Sequence, residues 1–170
     1  MGYTLLELAG DIRTILNQSE ASECSDDLCA LVSRALTDRN FISTHLMDRN
    51  VGAGPREILY EDDKLGFCIC GHVYDGQAIG QPHDHGPSWA VYGQAEGTTE
   101  MTDWKIVKKG KGDEPSIVEP IRKYRMNPGD AQYYEIGHVH SPKRTTPTKL
   151  LRIEGINLDH ITRSKIASAS

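Results

Sequence analysis

The sequence predicts a mainly β fold, a sandwich or barrel preceded by two or three short α-helices, and three observations predict it. Seven β-rich runs follow one another at near-regular intervals, from REILYED (56–62) to KLLRIEGIN (149–157). Breakers separate them at Asp75-Gly76, Gly110 to Pro115, Asn127-Pro128-Gly129-Asp130 and Ser141 to Pro147. Before residue 50 the texture differs, because apolar residues there recur at helical spacing. Many short strands with turn signals between them build a sandwich or barrel.

Thr4 followed by Glu7 makes a capping box, and Leu5, Leu8, Ile12 and Ile15 then line one face of a helix over about 5–17. Ser25 with Asp26 and Asp27 reads as a second helix cap, with Leu28, Leu31, Val32 and Leu36 as the apolar stripe. A third short helix fits 39–47. After VGAGP (51–55) come the strand runs LGFCICGHVY (65–74), PSWAVYGQ (87–94), TTEMTDWKIV (98–107), SIVEPIRKYRM (116–126) and AQYYEIG (131–137), between the two already quoted. The polar tail RSKIASAS (163–170) reads as frayed.

The chain of 170 residues suits a single domain, 1–170, with residues 1–50 as a helical segment packed on a barrel over 51–160. With 38% hydrophobic and 25% charged residues it has the profile of a folded soluble protein. A net charge of -5 gives no basic footprint for nucleic acid or an acidic membrane. The expected partner is a small molecule, and a homo-oligomer stays open. No long apolar run or signal-peptide pattern is present, so the expected location is cytoplasmic. The cysteines at 24, 29, 68 and 70 are too few and too unevenly spaced for a disulfide framework and read as free thiols.

Seven histidines are present, and two of them, His83 and His85, stand one residue apart before a strand-like run. On an extended chain they point to the same side and can aim two imidazoles at one point, as a metal requires. A third ligand must come from another strand. His138 and His140 are the candidates.

Gly129, Glu135, Gly137 and His140 fit the second cupin motif, G-x5-P-x-G-x2-H, with Glu135 in the proline slot, and that match points at His140. His83, His85 and Gly97 fit the first cupin motif, whose glutamate slot falls on Ala90. Over roughly residues 56–157 the chain resembles the cupin superfamily, which implies a double-stranded β-helix, or jelly-roll barrel. With three histidines and no glutamate it is similar to the cysteine dioxygenase family, which also shares the HDH phrase and a downstream Asp-Trp, here Asp103-Trp104. The family's Ser-x-His-x-Tyr has no counterpart, its place being taken by Arg152, Glu154 and Ile156. The crosslinking cysteine of some members aligns with Ala90.

The resemblance implies a metal held by His83, His85 and His140, with Fe(II) first and Zn, Ni or Mn as alternatives. It implies a non-haem iron dioxygenase that adds O2 to a small anionic chelating substrate, with cysteine disfavoured by the lost triad. Arg56 matches the arginine that binds substrate carboxylate, and Arg152 and Glu154 share a strand face where a second polar anchor would lie. If Ala90 points inward, alternation sends Tyr92 and Gln94 inward too, so Tyr92 and Glu154 are the candidate catalytic groups. His138 reads as an exposed loop residue or a pocket group, and one of Tyr133 and Tyr134 faces inward. A Zn, Ni or Mn isomerase or lyase and a non-catalytic binding cupin are the rival expectations.

Overall fold

The computed structural model describes residues 2–47 and 54–169. The boundary read at 50/51, and the first three residues of VGAGP, lie outside the described residues. Helix α1 (Leu5–Leu16) opens on the expected capping box and buries Leu8, Ala9 and Ile12. Helix α2 (Ser25–Thr37) corrects its expected cap: Ser25 is already helical, Cys24 is the N-cap, and no side chain caps it. Asp26 and Asp27 still place negative charge on its first turn, where the helix dipole favours it. Helix α3 (Arg39–His45) is capped by Asp38, whose carboxylate accepts from the backbone N–H groups of Asn40 and Phe41.

The strands are β1 (Arg56–Glu61), β2 (Cys68–Tyr74), β3 (Ala78–Ile79), β4 (Ala90–Glu96), β5 (Thr99–Lys108), β6 (Ser116–Met126), β7 (Ala131–Tyr134), β8 (Val139–Arg144), β9 (Thr148–Glu154) and β10 (Ile166–Ser168). Seven match the runs read from the sequence, and two of the others overturn expectations. Strand β8 occupies the first half of the stretch read as a breaker, because β5 on one side and β3 on the other supply its pairing. Pro142 joins through its carbonyl, which accepts from the Gly80 N–H at 2.8 Å. The tail read as frayed instead pairs in parallel with Ser116–Val118 as β10.

Two five-stranded sheets result, in the orders β1-β2-β9-β4-β7 and β10-β6-β5-β8-β3. The run β2-β9-β4-β7 facing β3-β8-β5-β6 is the strand order of a jelly roll, so the chain is a mainly β double-stranded β-helix, with three helices ahead of it among the described residues. The outer face of the first sheet carries Ile69, Val91, Leu151 and Ile153, which join Leu8, Ile12, Leu28 and Val32 in one apolar core. Gly93 lets α2 come this close: a Cβ there would stand 2.3 Å from Val32 Cγ1 and 2.6 Å from Leu36 Cδ1. Trp89 and Tyr133 also pack on this helix side, ring on ring at 6.0 Å. Between the sheets Ala90, Tyr92 and Tyr134 meet Met101 and Met126, so Tyr134 is the inward member of the tyrosine pair. Among the described residues no helix is long and apolar enough to cross a membrane.

Candidate metal centre and cavity

His83 and His140 face each other across a two-way backbone bridge, each N–H donating to the other's carbonyl at 3.0 Å. Opposed residues of an antiparallel pair project to the same face, so this bridge brings two imidazoles together from segments far apart in sequence. His85, two residues on from His83, adds the third, and the candidate ligand atoms of all three lie within 4.8 Å of one another. His83 Nδ1 stands 2.8 Å from the Gln81 carbonyl. A carbonyl only accepts, so Nδ1 carries the proton and Nε2 is left with a free lone pair.

These residues fit a metal ion on two independent grounds. Both nitrogens of His140 are buried without a hydrogen-bond partner, an arrangement that costs free energy unless something occupies the lone pair. All three imidazoles are also held neutral, as ligands must be. Burial lowers His83 below its ordinary value, carries His85 down to about 2 with help from the Arg152 charge, and takes His140 well below its usual range. A buried three-histidine cluster of this kind suggests a metal ion, and the donor set is compatible with iron, zinc, nickel or manganese alike.

Beside the cluster lies a cavity of about 300 Å³ whose wall includes His83, Tyr92, Arg56, Arg144, Arg152 and Arg163. Strand register explains part of it. On β9, Arg152 is opposite Tyr92 of β4 and Cys70 of β2, while Glu154 is opposite Ala90 and Cys68. Arg152 donates to the Tyr92 hydroxyl at 3.0 Å and also bonds Glu154. The Tyr92 hydroxyl in turn stands 3.0 Å from His85 Nε2. Glu154 is fully buried and accepts from Arg56 as well, through Nε at 3.2 Å and Nη2 at 2.7 Å. Burial pushes its carboxyl up, but the two guanidiniums outweigh that and hold it below its ordinary value.

The two arginines expected to anchor substrate thus already hold a protein carboxylate. Each of the three Arg56 guanidinium nitrogens meets a carboxylate, since Nη1 bonds Asp159. Arg144 differs: it is buried, its Nε has no partner, and its guanidinium carbon lies over the Tyr74 ring, 4.4 Å from the centroid. Burial opposes the charge of all three, yet acidic neighbours hold Arg56 and Arg152 above the ordinary guanidinium value while Arg144 falls below it. Sequence reasoning passed over Arg144 because it fell in the stretch read as a breaker. The available signal was alternation: His140, Pro142 and Arg144 share one face once 139–144 is a strand.

His138 is neither a bare loop residue nor part of the metal cluster. Its Nε2 lies 3.0 Å from Asp103 Oδ1, and its side chain is 34% exposed. Asp103 also accepts from Tyr124 at 3.4 Å, and Tyr124 bonds Tyr134 at 2.6 Å. His72 also lines the cavity. Cys68 and Cys70 are free and buried, with burial raising their thiols to about 11 and about 12.

No protein-family model matches the chain, and no curated protein matches it. Solved structures similar to it include KdgF from Halomonas sp., at 18% identity over 66% of this chain and 91% of that one, with a TM-score of 0.46. A double-stranded β-helix protein from Klebsiella pneumoniae is similar at 11% identity, 72% and 87% coverage and a TM-score of 0.49. The DMSP lyase DddQ from Ruegeria pomeroyi is similar at 14% identity, 64% and 49% coverage and a TM-score of 0.45. These neighbours are cupin and double-stranded β-helix proteins, some of them enzymes, and at such identities the likeness carries nothing about activity.

Proposed function

We propose that this chain is a metal-dependent cupin enzyme acting on a small anionic substrate, and that its first chemistry is that of a non-haem Fe(II) dioxygenase. The observation that supports this reading most is the donor set. His83, His85 and His140 are neutral, Ala90 occupies the position where a cupin carboxylate would join them, and Glu154 is committed to two arginines. Bound iron would supply coordination positions for a chelating substrate and the electrons that oxygen chemistry needs. The chain's own groups do the rest. The arginine-lined wall attracts and orients an anion beside the histidines.

A second reading is favoured by Tyr92. Its hydroxyl accepts from Arg152 at 3.0 Å and lies 3.0 Å from His85 Nε2, beside the histidine cluster. A phenol held this way suits an isomerase or lyase in which Zn, Ni or Mn serves as Lewis acid and Tyr92 moves a proton. Anaerobic purification with metal analysis, followed by a screen of thiols, diketones and small carboxylates, separates the two. Oxygen uptake stoichiometric with product supports the dioxygenase. Turnover of a small carboxylate without oxygen supports the lyase or isomerase, and a chain that binds no metal removes both.

A further inference from the structure

Arg144 combines burial, charge and the lack of any acceptor. Only 3% of it is exposed, its Nε is orphaned, and no carboxylate pairs with it among the described residues. A guanidinium stays protonated even when burial opposes it, so the charge persists. A desolvated charge without a counter-charge is strongly unfavourable, and such groups cluster where a ligand completes them. Arg144 lines the same cavity as His83 and Tyr92, and Arg163 at the rim adds a second guanidinium without a carboxylate partner among the described residues.

Position separates this charge from the histidines. Arg144 follows His140 by four residues on the inward face of β8, which is roughly 13 Å of strand at ~3.3 Å per residue. The donor atoms that meet the histidines and the group that meets Arg144 therefore belong to different ends of one molecule. We propose that the cavity binds a small dianion, with one end at the three histidines and the other, a carboxylate, sulfonate or phosphate, held by the Arg144 fork beside Tyr74. This rests on the metal-enzyme reading above and names its substrate class. It also moves the anchoring role away from Arg56, whose charge is already met by the carboxylates of Glu154 and Asp159.

The test uses the full chain, metal-loaded and chelator-treated, titrated calorimetrically with inorganic phosphate, with dicarboxylates from succinate to adipate, and with monocarboxylates of matched length. The loaded protein is expected to bind at least one dicarboxylate on the order of tenfold or more tighter than its monocarboxylate partner, as a lost charged hydrogen bond implies. Arg144→Met should abolish that preference without lowering the melting temperature of the ligand-free protein, because it removes an uncompensated buried charge. Arg144→Lys, which keeps charge and loses the fork, should retain part of the preference and serves as the comparison if the methionine variant does not fold. In the chelator-treated protein phosphate should still bind, and the Arg144 variants should weaken it. Equal affinity for dicarboxylates and monocarboxylates, or a preference unchanged in the Arg144 variants, overturns the inference. Metal analysis of the metal-loaded samples separates the two claims: bound metal without any Arg144 dependence defeats this one alone, and Arg144-dependent phosphate binding in a chain that takes up no metal on loading defeats the enzyme reading alone.

Discussion

The Tyr92 hydroxyl stands 3.0 Å from Nε2 of His85, which joins a metal-site imidazole to the arginine side of the cavity through one phenol. Arg152 donates to the same oxygen at 3.0 Å, so Tyr92 is a shared partner of the two halves. Tyr92→Phe keeps the ring and removes that partner. The variant should keep its metal and lose about 1–3 kcal/mol of stability, because a buried Arg152 nitrogen is left without an acceptor. If Tyr92 moves a proton, kcat should also fall roughly a hundredfold or more. Metal content, denaturant unfolding and turnover read the three outcomes separately, and unchanged turnover would return Tyr92 to a packing role.

His140→Ala should abolish metal binding while the fold survives. The two orphaned nitrogens of His140 are buried, so the alanine variant trades an unsatisfied polar group for a small void. The wild type should hold about one divalent ion per chain, and a chelator should lower its melting temperature, as expected for a ligand that binds only the native state. Full metal content in His140→Ala with loss in His138→Ala would show that the wrong histidine was chosen.

Glu154→Gln should destabilise the protein by about 3–5 kcal/mol, the range for removing one member of a buried ionic group. The carboxylate is fully buried between Arg56 and Arg152, and without it the two guanidiniums face each other with only Asp159, on the far side of Arg56, as a carboxylate partner among the described residues. Combining it with Arg56→Gln should recover part of the loss, since a removed positive charge relieves the repulsion. Additive losses in that double variant would argue against the coupling.

The metal-free protein should lose stability as pH falls. Burial depresses His83, His85 and His140 below the ordinary imidazole value of 6.5, so below that pH the unfolded chain binds protons that the native one does not. Stability is therefore full above about pH 6.5 and declines below it, by up to ~1.4 kcal/mol per pH unit for each such histidine. Urea unfolding at several pH values measures the slope. His140→Ala should make it shallower, and an unchanged slope would sink the assignment.

Gly93→Ala should cost about 1–3 kcal/mol, the usual range for overpacking, because the new methyl meets Val32 and Leu36 of α2. The clash is on the helix side of the sheet, away from the histidines. Metal content should hold while the unfolding midpoint drops.

What the sequence by itself determined is what nearby residues determine physically. The Thr4–Glu7 box, the helical stripe of α2 and the β-rich runs between breakers are local, and each appeared where the sequence placed it. The H-x-H pair is local too, and the spacing of Gly129, Gly137 and His140 was enough to select the histidine that the structure brings to the cluster. Only the tertiary structure decided the rest, because the deciding partners are distant along the chain. Pairing by β3 and β5 made a strand of 139–144, and pairing by β6 ordered a polar tail. Arg56 looked free until Glu154, 98 residues away, and Asp159 filled its fork. Arg144 looked like a turn residue until the strand turned it inward, where no acidic residue meets it among the described residues. Charge compensation in a buried cavity is a sum over contacts between elements, and no window of sequence contains that sum.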